Sequence, residues 1–136
     1  MMHEMGTDLA VTSGAIATVL NEAARAHPQE ACGLLLGCGG VIELALPAGN
    51  VAADPLRHFE IDPAALIAAH RAARGGGRQV LGYYHSHPNG LDRPSATDSE
   101  QAGGDGLVWA IAAGGKVSFW RDVAGGFAAL DVRLVE

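Results

Sequence analysis

Residues 62–77 read DPAALIAAHRAARGGG, and this stretch constrains the fold more than any other. Asp62 suits an N-cap, because its carboxylate can accept a bond from an otherwise unpaired helical N–H. Pro63 suits the first helical position, where its missing N–H costs nothing. Three glycines at 75–77 supply the stop, since glycine readily enters the left-handed conformation that ends many helices. This bounded helix lies between two strand-like runs, RHFEI at 57–61 and QVLGYYHS at 79–86. A strand, a helix and a strand in succession predict a sheet with helices packed on it.

The flanking sequence extends the pattern. A helix is expected to start near Ser13, with Ile16, Val19, Leu20 and Ala23 at helical spacing. Pro28 ends it, because the residue before a proline avoids the helical region. EACGLLLG at 30–37 reads as a buried strand, GCGG as a turn and VIELAL at 41–46 as its hairpin partner. Downstream, SATDSEQA at 95–102 reads as a short helix. LVWAIA, KVSFWR and FAALDVRLV read as three closing strands separated by Gly-rich turns. The order is αββ, βαβ, α, βββ, an α/β or α+β chain with a mixed sheet flanked by helices. Its 136 residues suit one domain, 1–136.

Charge and composition narrow the function. Apolar residues make up 49% of the chain, enough for a core that needs no disulfide or metal staple. The net charge is −6, and the only basic cluster is Arg71, Arg74 and Arg78 at a helix end. No basic stripe exists to displace counterions, so nucleic acid is excluded as the main partner. No apolar run approaches the roughly 18 residues that a membrane span needs. MMHEMGTD at the start lacks the charged-then-apolar order of an export signal. Cys32 and Cys38 are not spaced as C-x-x-C and read as reduced thiols, so the expected location is the cytoplasm.

The chemistry concentrates in HSHPNGLDRPSATD at 85–98. Alternate residues of a strand share a face, so His85 and His87 point the same way, about 7 Å apart along the strand. Imidazoles at that spacing can converge on one ion about 2.0–2.1 Å from each nitrogen. Pro88 then ends the ladder, placing the pair at a strand end. Asp98 is the candidate third ligand. Ser95-x-x-Asp98 also resembles a capping box, and a capped helix start is a rigid place from which to aim a carboxylate. Two histidines and one carboxylate leave a fourth tetrahedral position for water, the open arrangement of a catalytic zinc site. Hydrolysis at such a site still needs a proton shuttle. H-E-x-x-H is absent, and Glu30, just ahead of a buried strand, is the best candidate base.

Two stretches together carry a family resemblance. EACGLLLG at 30–37 resembles the E-x-x-G-x-L-x-G element of the JAMM (MPN-type) zinc metallopeptidases. HSHPNGLDRPSATD resembles their H-x-H-x7-S-x2-D signature with every position filled, and FEIDP, GYYHSHP and a late FW are similar to small bacterial members. The resemblance implies a curved mixed sheet flanked by helices, similar to cytidine deaminases. It implies one Zn2+ per chain on His85, His87 and Asp98, with Glu30 as general base and later proton donor. Ser95 would help stabilise the oxyanion. It also implies hydrolysis of a peptide or isopeptide bond, at the C-terminal Gly-Gly of a ubiquitin-like sulfur-carrier protein. The alternatives are a non-enzymatic MPN scaffold, which usually lacks ligands that this chain keeps, and a cell-wall or phage-tail peptidase of the same family. A zinc nucleoside deaminase would need H-x-E and P-C-x-x-C, and the chain has H-S-H and no C-x-x-C. His27 and His70 are expected in helices, His58 in a strand and His3 near a frayed terminus, none with a role.

Overall fold

A computed structural model of the chain describes residues 9–136; His3 and the whole MMHEMGTD start lie outside the described residues. The element order is β1 (Leu9–Thr12), α1 (Ser13–Ala26), β2 (Cys32–Cys38), β3 (Val41–Ala48), α2 (Pro63–Arg74), β4 (Gln79–Ser86), α3 (Ala96–Gln101), β5 (Val108–Ala113), β6 (Lys116–Val123), β7 (Gly126–Leu130) and β8 (Val132–Val135). All the strands join one mixed sheet in the order β7-β6-β5-β4-β2-β3-β1-β8. The α+β architecture expected from the sequence is the one observed. Among the described residues no helix is long and apolar enough to cross a membrane.

The helices form where their caps demand. The Thr12 side chain accepts from Ala15 N–H to open α1, and Asp62 accepts from Ala64 N–H to open α2. The three glycines close α2: Gly75 N–H reaches Arg71 and Ala72 carbonyls, and Gly76 adopts φ +99°. The two long helices cover opposite faces. Leu9, Val11, Val19, Leu35, Ile42 and Tyr84 build the larger core beneath α1. Cys32, Leu34, Ile61 and Ala69 build a smaller one beneath α2, with Phe59, Leu66 and Tyr83 packed against it. Successive β4 residues alternate between these layers, so Tyr84 enters the α1 core and His85 faces the α2 side. Gly82 of β4 lies so close to Val108 of β5 that a side-chain carbon there would overlap the Val108 backbone. The small residue lets the central strands meet.

Three expectations need correction. RHFEI does not form a strand; residues 57–61 run through a turn and an extended segment whose only ladder contact is a bridge between Asn50 and Ile61. The Asn50 side chain takes up backbone groups there that a neighbouring strand would otherwise pair. His58 therefore lies in a loop, and His27 is the C-cap of α1 rather than part of it; His70 does lie in α2. FAALDVRLV is two strands, broken at Asp131. β7 pairs with β6 at one edge while β8 pairs with β1 at the other. One residue can connect opposite edges only if the sheet curls until they approach each other, and Leu130 and Val132 both pack against the α1 core. β1 itself was not anticipated from the sequence; four residues give too short a period to read, and its parallel pairing with β3 and β8 is wholly non-local.

Candidate active site

β4 delivers the first histidine and the turn after it delivers the second. His85 pairs with Cys32 across β2 and with Ile111 across β5, and is fully buried. Its ring stacks on Phe59 with centroids 4.2 Å apart and planes at 16°, and meets Trp109 edge-on at 5.7 Å. His87 lies one residue past β4, held by its N–H donating to Ala112 O at 2.9 Å. A turn closed by Gly90 N–H to His87 O brings the Leu91 carbonyl back, and His87 Nδ1 lies 2.8 Å from it. A carbonyl only accepts, so Nδ1 carries the proton and Nε2 presents a lone pair in the neutral ring. The two imidazoles are thus oriented by different means, one by aromatic stacking and one by a hydrogen bond.

α3 carries the carboxylate. Ser95 and Asp98 form the capping box expected from their spacing: Ser95 Oγ accepts from Asp98 N–H at 3.0 Å, and Ser95 N–H donates to Asp98 Oδ2 at 2.9 Å. Asp122 of β6 fixes the chain beyond α3. Its buried carboxylate accepts from Gly103 N–H at 3.1 Å and Gly104 N–H at 3.0 Å. Neither Asp122 nor Phe59 was singled out from sequence, because no local pattern marks a strand aspartate or a loop phenylalanine as a brace.

The three groups converge. His85 Nε2 and His87 Nε2 are 3.0 Å apart, and Asp98 Oδ2 is 3.2 Å from the first and 3.1 Å from the second. All three residues are buried, and together they could hold a metal ion. An ion about 2.0–2.1 Å from tetrahedral ligands would hold them about 3.3–3.4 Å apart, so this triangle fits with only slight expansion. Two imidazole nitrogens and a carboxylate are also the donor set that suits zinc.

Glu30 approaches from β2. Ser86 N–H donates to Ala31 O at 3.0 Å and Ala31 N–H donates to Ser86 Oγ at 2.8 Å, extending the β2–β4 register beyond its last paired strand residues. Continued by one more residue, that register sets Glu30 opposite His87. Its backbone is tied on both sides, N–H to Pro55 O at 2.8 Å and C=O to Asn50 Nδ2 at 3.0 Å. Burial pushes the Glu30 carboxyl up to about 7, with His87 drawing it down and Asp98 pushing it further up. For Asp98 burial also acts upward, but hydrogen bonds with His85 and His87, the charge of His85 and the Ser95 N–H hold it well below the usual carboxylate range. Cys32 is buried, its thiol pushed up to about 12 by burial and by Glu30, and Cys38 is exposed; both are free. Neither belongs to the metal-ligand group. Beside the site a cavity of about 580 Å³ opens on the α2 side, lined by Phe59, Ile61, Leu66, Tyr83 and Trp109 among others.

Residues 12–123 match the family model described as prokaryotic homologs of the JAB domain. The chain belongs to this family. It is 40% identical over 86 residues to a desampylase of Haloferax volcanii, covering 62% of each chain. It is also 40% identical over 88 residues to a probable TtuB-protein conjugate cleaving protease of Thermus thermophilus, covering 61% of this chain and 59% of that one. The matched segments thus span about three fifths of those relatives. A solution structure of a Desulfitobacterium hafniense protein superposes with a TM-score of 0.81 at 30% identity, over 94% of this chain and 93% of the other. The sheet and helices are those of a JAB-family domain, and the buried His-His-Asp group lies within the matched residues.

Proposed function

We propose that this JAB-family protein is a zinc-dependent peptidase or isopeptidase that cuts the amide formed at the C-terminal Gly-Gly of a ubiquitin-like sulfur-carrier protein. The observation that carries the reading is the pairing of a ligand triangle at near-tetrahedral spacing with a glutamate whose carboxyl sits near neutrality beside it. His85, His87 and Asp98 would hold one zinc per chain and leave a fourth position open. When bound, the zinc would polarise the scissile carbonyl and acidify water. Glu30, with a carboxyl near 7, is matched to taking a proton from the attacking water and passing it to the leaving amine. Ser95 Oγ already accepts the Asp98 N–H, which leaves its own hydrogen free to donate to the oxygen that gains charge. All five groups gather in one place, which argues against a scaffold that has lost its chemistry.

The substrate class rests on the relatives, one named a desampylase and one for cleaving TtuB conjugates. The cavity lined by Phe59 and Trp109, the two rings that touch His85, offers a largely apolar surface beside the metal group for an extended chain end. Two unpaired cysteines fit a reducing compartment, the cytoplasm. The decisive test uses a synthetic peptide ending in Gly-Gly and joined to the ε-amine of a lysine reporter. Zinc-loaded protein should release the reporter, and a chelator should stop it. Glu30→Gln should retain zinc and lose about 10²–10⁴-fold in kcat. Normal turnover in that variant removes Glu30 as the base. Failure of the loaded wild type on every Gly-Gly amide removes the substrate class.

A further inference from the structure

We propose that Asn50 is a positioning residue for Glu30, a role that rests on reading Glu30 as the base. Asn50 follows β3, and its half-buried side chain makes four hydrogen bonds. Nδ2 donates to Glu30 O and to His58 O, each at 3.0 Å. Oδ1 accepts from Ala52 N–H at 3.0 Å and from Glu60 N–H at 3.1 Å. That uses both donors and both lone pairs of a side-chain amide. The partners also fix its orientation: rotating the amide end for end would set NH2 against two N–H groups and oxygen against two carbonyls.

The four partners lie on two separate pieces of chain. Glu30 belongs to the entrance of β2, whereas Ala52, His58 and Glu60 belong to the loop between β3 and α2. The same loop reaches Glu30 a second time, through Pro55 O accepting the Glu30 N–H at 2.8 Å. Glu30 is therefore suspended by its own peptide groups between a side chain that closes the loop and a carbonyl the loop presents. Its carboxylate accepts no hydrogen bond from the described residues, so its direction depends on where the backbone is held. The Asn50 bonds flank Phe59 at His58 and Glu60, and Phe59 is the ring stacked on His85. One amide thus ties the base's backbone to the wall of the metal group. Aspartate has the same shape and would keep accepting from Ala52 and Glu60, but it has no N–H for Glu30 O or His58 O.

The test compares Asn50→Asp and Asn50→Ala in zinc-loaded protein, in the wild-type and Glu30→Gln backgrounds, with the Gly-Gly–lysine reporter. Asn50→Asp keeps the volume and two of the four bonds, and it serves if the alanine variant does not fold. We expect one zinc per chain and a kcat/KM about 10²-fold lower, as for a catalytic group displaced by about 1 Å. In the Glu30→Gln background the same change should cost less than about 3-fold, because the group it positions is already gone. Amide exchange gives a readout that needs no substrate: the Glu30 N–H should exchange about 10-fold faster or more in either variant, with the Asp98 N–H unchanged. Equal losses in both backgrounds, or unchanged exchange at Glu30, overturn the positioning role while leaving Glu30 as base. Normal turnover of Glu30→Gln alone removes the base and this role together.

Discussion

Glu30 and Asp98 are two neighbouring carboxylates, buried almost alike at 6% and 3% exposure, yet shifted in opposite directions from the usual carboxylate range. Burial acts upward on both. What separates them is their partners. Asp98 takes the Ser95 N–H and faces two imidazoles, which overcome burial and keep it ionised. Glu30 has His87 as a more distant attraction and Asp98 as a repulsion, and burial prevails. Environments that push two neighbouring acids apart assign them different work. The ionised one is fit to hold a cation, and the one near neutrality is fit to move a proton.

The largest expected effect exchanges each carboxylate for its amide. Asp98→Asn should lose zinc on dialysis against a chelator that leaves the wild type loaded, and activity should fall to background. Glu30→Gln should keep zinc under the same dialysis. Elemental analysis checks both, and zinc lost from Glu30→Gln and kept by Asp98→Asn would invert the assignment. Ser95→Asp probes the shell that makes Asp98 different. Aspartate caps a helix as well as serine, so melting should stay near the wild-type temperature. An ionised carboxylate cannot donate a hydrogen bond and would repel an oxyanion, so kcat should fall about 10²–10³-fold. Zinc is measured in the same sample, since the new carboxylate could itself ligate. Wild-type turnover with one zinc bound would leave Ser95 as a cap alone.

The contrast between the two halves also explains what could be read in the sequence. Asp98, Ser95, His85 and His87 lie within fourteen consecutive residues, on a strand end and a capped helix start whose signals are local. The α2 caps, the β2–β3 hairpin and all of β4 were legible for the same reason. The Glu30 half draws on Pro55 and Asn50, and nothing in their neighbours reports that those backbones meet. Glu30 itself was proposed through the need for a base and through a family element, not through its own context. RHFEI misled because a short apolar alternation describes equally a paired strand and a segment whose backbone is held by a side chain. The break at Asp131 was missed because both sides of it carry strand-like residues. Only closure of the curled sheet, a property of eight strands together, sends them to opposite edges.

The smallest effect bears on the comparison most directly, because it requires neither zinc nor substrate. In zinc-free protein the Glu30 carboxyl titrates near 7, above the roughly 4.3 of an unfolded glutamate. A group raised in this way contributes fully to stability below the unfolded value, and the contribution is lost as pH rises through the folded one. Glutamine never ionises. The melting temperature of Glu30→Gln relative to wild type should therefore climb from pH 4 to 7 and level off above it. For a chain of this size about 1 kcal/mol corresponds to a few degrees, so calorimetry in chelator can resolve the trend. Asp98→Asn should behave in reverse. Its folded-state value is depressed, so its loss should lower the melting temperature at neutral pH, with the deficit shrinking as pH falls toward the depressed value. A flat difference for Glu30→Gln between pH 4 and 8 would mean that the carboxyl titrates alike in folded and unfolded chains, and the contrast between the two acids would fail. Saturating zinc should shrink the Glu30→Gln gain at pH 8, because a nearby dication favours the ionised carboxylate. The cost of burying Glu30 is then carried mainly by the empty protein and relieved when the site is filled.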